Sequence, residues 1–437
     1  MKDNVKSVGP GTPKKNTIKE KVNKYFESRR EDIYRQDAVN GQKITPDGSR
    51  RNEKGNSEAR IIYRNGIDTR FLVYVIILLC LGAVMSFSAS YVYAEQKYDD
   101  SSYFIVRYLI FAVAAIVITA PFVMYAKPSF WKCFGTVAYL GSIFLLLLVL
   151  LPIFSWNAGG AQRWIDLGFI TIQPSEIAKL AVVMMLAFYM SKYNKEITLP
   201  KSPRESLIYG VIYPACIFGL ICILVALEKH ISGLMIIGMI GIAVMYMGGT
   251  KTKWILLILG AIALAGCLLI AVSSYAQDRV NTWLNIDKVD PLGSAWQTLQ
   301  GLYAIGSGGL FGVGLGNSRQ KYGYVSQPQN DFVFTIICEE LGFFGAALVI
   351  TMFVLLVIRG FKIAAKAPDK YTSLLVSGLT FKVALQTALN IAVVTNSMPN
   401  TGISLPFFSS GGTSLALQIF EMGIILSVSR FSTVKRK

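Results

Sequence analysis

Long apolar runs recur from about residue 71 to about residue 429, several of them about 18 residues or more, the length a helix needs to cross hydrocarbon. Inside a bilayer no water satisfies backbone N–H and C=O groups, so these runs must pair them internally as helices. A composition of 53% hydrophobic residues agrees. The expected fold class is all-α, a polytopic integral membrane protein of about ten transmembrane helices. The spans read at about 71–93, 103–125, 131–154, 174–193, 206–226, 231–249, 253–274, 331–358, 372–395 and 413–429.

Residues 1–70 are a different material, rich in Lys, Arg, Glu, Asn and Gly, with too little apolar surface to offset the entropy of ordering. A disordered basic cytoplasmic tail is expected there, then a membrane domain over 71–430 and a basic cytoplasmic C-terminus over 431–437. No apolar core precedes Arg70, so the first span, rather than a cleaved signal peptide, is expected to direct insertion. Alternate connections carry Lys127 and Lys132, then Lys192, Lys195, Lys201 and Arg204, then Lys251 and Lys253, then Arg359, Lys362, Lys366 and Lys370. The positive-inside rule puts these loops in the cytoplasm, with both termini, as an even number of spans requires. The net charge of +17 is then mostly topology, with added attraction to anionic membrane lipid. Basic residues dispersed among loops argue against a nucleic-acid partner.

The opposite, outer face collects the unusual sequence: about 155–173, the turn Glu228-Lys229-His230, a long loop at about 275–330, and about 396–412. The six cysteines lie in or beside apolar runs without paired ligand spacing and read as buried apolar residues. A single His, no acidic ligand box and no Walker-type glycine loop leave zinc and nucleotide hydrolysis without support, so no metal site is assigned. Asp331 stands where the long polar loop meets a new apolar run. A carboxylate at that boundary is either an N-cap or a functional acid. Glu176 and Lys179 are three apart behind Pro174 and so share one helix face, where they can neutralise each other. Lys382, Gln386 and Asn390 form a stripe of packing or cavity polarity, and Glu339, Glu340 and Glu421 are further intramembrane acids.

Three segments carry a resemblance. Gly160-Ala161-Gln162-Arg163-Trp164-Ile165-Asp166-Leu167-Gly168 precedes Gln173-Pro174-Ser175-Glu176. Gly312-Val313-Gly314-Leu315-Gly316-Asn317-Ser318-Arg319-Gln320-Lys321 runs on to Asn330-Asp331-Phe332-Val333-Phe334 and Glu339-Glu340-Leu341-Gly342. Pro399-Asn400-Thr401-Gly402-Ile403-Ser404-Leu405-Pro406-Phe407 leads to Ser409-Ser410-Gly411-Gly412. Together, after about Arg70, the chain resembles the bacterial SEDS family, the FtsW, RodA and SpoVE group. The long tail and the Gly-Asn-Ser-Arg-Gln-Lys segment favour the FtsW-like division type over the elongation type, with a sporulation type left open.

The resemblance implies a peptidoglycan glycosyltransferase that polymerises lipid II into a nascent glycan strand at the outer face of the bacterial cytoplasmic membrane. It makes Asp331 the general base that takes the proton of the acceptor's 4-hydroxyl as undecaprenyl pyrophosphate departs. It puts Glu176 and Lys179 in the same cavity, Lys179 either holding Asp331 ionised or neutralising pyrophosphate. Arg163, Arg319 and Lys321 remain as outer-face cations for pyrophosphate, the arginines ranking first for bidentate geometry. Trp164 is a candidate for packing on lipid or sugar. A divalent cation, magnesium or manganese, is an option for screening the pyrophosphate, with no protein ligand set visible. The implied partners are a class B penicillin-binding protein, which supplies crosslinking, and other divisome proteins.

The chain also departs from the family. Ser326-Gln327-Pro328-Gln329 stands where relatives commonly carry Pro-Glu-x-His, Lys229-His230 replaces Pro-Asp, and Ser410 replaces a Tyr. His230 therefore reads as a turn residue. Two other classes compete: a lipid II flippase, which needs functional polar groups at both faces, and a non-catalytic division scaffold, which leaves the polar outer loops unexplained.

Overall fold

The computed structural model describes residues 66–151, 155–158, 161–166, 168, 171–286, 293 and 295–431, with five short strand segments nearer the termini. Most of the tail, and with it the expected disorder, lies outside the described residues. Within the small unit formed by the two ends of the chain, Ile61–Tyr63 pairs antiparallel with Thr433–Lys435, and Lys43–Ile44, Arg50–Arg51 and Ser57–Glu58 form a small antiparallel sheet.

Among the described residues of the larger unit, nine helices are long and apolar enough to cross a membrane. They are α1 (Thr69–Tyr98), α2 (Tyr103–Tyr125), α3 (Pro128–Val149), α4 (Pro174–Lys192), α5 (Pro203–Leu227), α6 (Ile231–Gly248), α10 (Val333–Ala365), α11 (Lys370–Val394) and α12 (Gly412–Ser429). The remaining expected span is α7 (Thr252–Val272), whose described apolar stretch, Thr252–Leu268, is shorter. The chain is a multi-pass, mostly helical membrane protein. Local chemistry sets several helix starts. Proline opens α3 and α4, where its missing N–H costs nothing. Asp68 accepts from the Phe71 N–H at the head of α1 and also takes two bonds from Arg359 of α10, at 2.9 and 2.7 Å. Asp369 and Thr372 make a capping box on α11.

The order of burial inverts that of a soluble protein. In their most apolar windows α4 and α11 are 67% buried and α12 72%, against 22% for α2. The three buried helices carry Glu176, Lys179, Lys382 and Glu421, because charges are excluded from the lipid face and must point inward.

Three local differences from the sequence reading matter for the site. The run expected as a helix to about 154 ends at Val149, and an antiparallel sheet follows: β1 (Ser155–Ala158), β2 (Ala161–Asp166) and β3 (Thr171–Ile172). The long loop at about 275–330 contains two helices, α8 (Ser274–Leu284) and α9 (Trp296–Ser307). Helix α10 is broken at Gly342 (φ 67°, ψ −166°). There the loop after α9 inserts: Phe343 and Phe344 N–H groups donate to Gly309 and Leu310 carbonyls, while Val313 and Gly314 N–H groups donate to Glu339 and Glu340. The break is tolerated because the inserted loop takes up the freed backbone groups. A Cβ at Gly342 would stand 2.3 Å from the Gly312 nitrogen, so only glycine fits.

Candidate active site

Asp331 precedes α10, yet it does not cap it. The N-cap is Phe332, which makes no side-chain capping bond. What holds Asp331 is its carbonyl, which accepts from Asn390 Nδ2 at 2.7 Å; the same amide group donates to Ile403 O at 2.7 Å. One side chain of α11 thus clamps the head of α10 to the segment before α12. The preceding loop is tied to that segment as well: the Ser410 hydroxyl donates to Asn330 Oδ1 at 3.0 Å and the Ser410 N–H to Gln329 O at 3.1 Å. Gly402 (φ 65°) lies against the acid, with a Cβ there 3.4 Å from Asp331 Oδ2. Burial pushes the Asp331 carboxyl up to about 6, opposed by a bond from its own backbone N–H.

The carboxylate faces a cavity of about 790 Å³. Arg163 and Trp164 reach it from β2, Gln173 and Glu176 from the head of α4, and His230 and Ser232 from the α5–α6 turn. Asp278, Arg279, Thr282 and Trp283 of α8 line it too, with Asn330, Asn396 and Asn400. A narrow recess of about 70 Å³ shares Glu176, His230 and Gly402 with it and reaches Lys179, Gln386 and Gln418. Beneath lie two charge pairs: Lys179 donates to Glu176 at 2.5 Å, and Lys382 to Glu421. All four interact electrostatically, so the charges inside the bundle are compensated within it.

The α5–α6 turn orients Arg163, whose Nη2 donates to Lys229 O at 2.6 Å. Behind it Glu228 is 1% exposed with both carboxyl oxygens unpartnered, and burial raises it to about 8, against the pull of Arg163. His230 is lowered to about 4 by burial first and by Lys179 and Arg163 next, so its ring is neutral at pH 7. It shares a 3.1 Å hydrogen bond with the Ser175 hydroxyl and lines both the cavity and the recess.

The structure therefore brings together Asp331, Glu176, Arg163 and Trp164, with Lys179 in the recess. It does not bring in Arg319 or Lys321. The Lys321 side chain is fully buried, ion-paired to Glu340 at 2.7 Å, bonded to Gly316 O at 2.6 Å, and 4.6 Å from the Tyr91 ring centroid. Ser318 donates to Glu339 through its hydroxyl and to Glu340 through its N–H, and the Arg319 N–H donates to Glu339 at 2.9 Å. The glutamate pair thus faces one inserted loop, and Lys321 is a fastener of that loop rather than a ligand for phosphate. Arg319 points to the surface, outside the cavity. Asp278, Arg279 and Trp283 were the missed residues. Their signal was the amphipathic 274–284 pattern inside a loop too polar to read as a span.

Among the described residues no three His, Cys, Asp or Glu side chains converge as a metal site.

The cell cycle protein family of FtsW, RodA and SpoVE matches residues 69–434. Stage V sporulation protein E of Bacillus subtilis is 38% identical over 366 residues, covering 84% of this chain and 97% of its own length. A "probable peptidoglycan glycosyltransferase FtsW" of the same organism is 35% identical, covering 82% and 90%. Among solved structures, one described as "structural coordination of polymerization and crosslinking by a peptidoglycan synthase complex" superposes with a TM-score of 0.67 at 25% identity, covering 83% of this chain and 98% of that one. The rod shape determining protein RodA of Thermus thermophilus superposes with a TM-score of 0.61 at 24% identity, covering 83% and 97%, and shares the fold.

Proposed function

This chain belongs to the FtsW, RodA and SpoVE family, and on that premise we propose that it is a peptidoglycan glycosyltransferase polymerising lipid II, with Asp331 as general base. The observation that carries the reading is the Asp331 carboxylate facing a polar cavity and pushed up to about 6, on a backbone whose carbonyl is clamped by Asn390. A base with that value is mostly ionised at pH 7 and still accepts a proton readily. The acceptor's 4-hydroxyl attacks the donor's anomeric carbon, its proton passes to Asp331, and undecaprenyl pyrophosphate leaves. Of the three cations weighed for pyrophosphate, Arg163 is the one in the cavity, and its planar fork suits a phosphate. Trp164 beside it offers an apolar face to sugar or lipid.

The setting follows from the same reading: a bacterial cytoplasmic membrane, both termini in the cytoplasm, the cavity outside, and a role in cell division. A single-pass class B penicillin-binding protein is the proposed partner, since polymer made here needs a transpeptidase to crosslink it. Failure of the two to co-purify in mild detergent would count against that pairing. Depletion should produce filamentous cells; normal division with failed sporulation would instead assign the sporulation role.

The central test is Asp331→Asn. Purified with its partner and given lipid II, the variant should lose polymer on a gel by about 10²-fold or more while eluting like the parent protein. Undiminished polymer would remove the proposed base.

A further inference from the structure

We infer that α8 is a positioning element for Asp331, acting through hydrogen bonds from Arg279 and Trp283 to the loop that walls the carboxylate. The inference rests on the base role proposed above. Arg279 Nη1 donates to Asn400 O at 2.6 Å, and Trp283 Nε1 donates to Asn396 O at 2.9 Å. The two donors are four residues apart on one helix and leave it on the same face, the face that lines the cavity. Asn400 passes the restraint onward, because its side-chain oxygen accepts from the Gly402 N–H at 3.2 Å. Gly402 is the residue that lies against Asp331 Oδ2. On its other side the loop is held at Ile403 O by Asn390. The wall is thus pinned by α8 at 396 and 400 and by α11 at 403.

Two features give the loop a definite shape at the points where it is held. Asn396 has a positive φ of 54°, the left-handed turn that ends α11 and that asparagine adopts readily, and its carbonyl is the one Trp283 takes. Gly402 also has positive φ, so the turn against Asp331 is a specific shape rather than extended backbone. With the wall in place the carboxyl is kept from water and its affinity for protons is raised. Once the wall loosens, water reaches the carboxyl and that affinity falls.

The charged and titratable groups that share the cavity with Asp331 are Arg163, Glu176, His230, Asp278 and Arg279 itself. The test therefore keeps formal charge constant. Trp283→Phe keeps an aromatic body and removes the donor; Arg279→Lys keeps the cation and removes the fork. Two readouts are taken on the folded, monodisperse protein in complex with its partner: the pH profile of lipid II polymerisation, and carbodiimide labelling of Asp331 across pH, read by mass spectrometry. In both variants the acid limb and the labelling midpoint should move down from about 6 toward 3.8. Misplacement of the base should lower kcat by about 10- to 100-fold, with a smaller change in KM. A labelling midpoint that stays at the parent value in both variants, or rises, overturns the inference. The two readings fail separately. If Asp331→Asn still polymerises, the base role falls while labelling continues to report on the wall; if Asp331→Asn is dead and the midpoints do not move, only the positioning role falls.

Discussion

At the scale of single residues, protons decide what the site can do. As the proposed base, Asp331 would act only when ionised, and burial sets it at about 6. Polymerisation should therefore climb through about pH 6 and level off above it; a rate already flat from pH 4.5 upward would mean a carboxyl as hydrated as an ordinary aspartate. Glu228 is the opposite case. Its carboxyl titrates at 4.5 in an unfolded chain and at about 8 when buried, so the native state binds the proton more tightly across that window. The folded protein accordingly loses stability as pH rises from 4.5 to 8. Glu228→Gln, which cannot ionise, should melt close to the parent at pH 5 and higher by about a few degrees at pH 8. Equal shifts at both pH values would show that Glu228 does not titrate in this window.

At the scale of elements, the inserted loop after α9 is the feature most exposed to error from sequence. Lys321 reads as an outer-face cation because its neighbours are polar, but its ammonium lies inside, against Glu340, Gly316 O and Tyr91. Removing one member of a buried pair leaves the other charge uncompensated, so Lys321→Met should cost about 3–5 kcal/mol of stability. Thermal unfolding in detergent checks this, and an unchanged melt would return Lys321 to the candidate ligands. Arg319 is exposed, and Arg319→Ala should alter stability by no more than about 0.5 kcal/mol and leave polymer yield near that of the parent; a loss of yield with an unchanged melt would restore its phosphate role. No periodicity distinguishes these neighbouring cations. Only the break at Gly342, which lets the loop enter α10, turns one inward.

At the scale of the whole molecule, the polar helices sit at the centre and the apolar ones face lipid. The cavity opens where β2, α8 and the segments before α10 and α12 meet. The topology proposed for the chain places that end outside. Asn317→Cys should then react with a membrane-impermeant maleimide on intact cells, and Lys366→Cys only after permeabilisation; labelling in the reverse order would invert the protein.

The spans, the pairing of Glu176 with Lys179, and the boundary position of Asp331 were legible in the sequence, because a bilayer allows few solutions for long apolar runs and fewer for charges within them. The choice between cap and free acid for Asp331 was not legible, since both place a carboxylate before a helix. Tertiary structure decided it by putting Phe332 at the cap and Gly402 against the carboxylate. It also decided which cations share the cavity, retaining Arg163, adding Arg279 and removing Arg319 and Lys321. Those assignments depend on contacts between segments more than a hundred residues apart, such as Arg279 with Asn400 and Ser88 with Glu340, and local sequence carries no record of them.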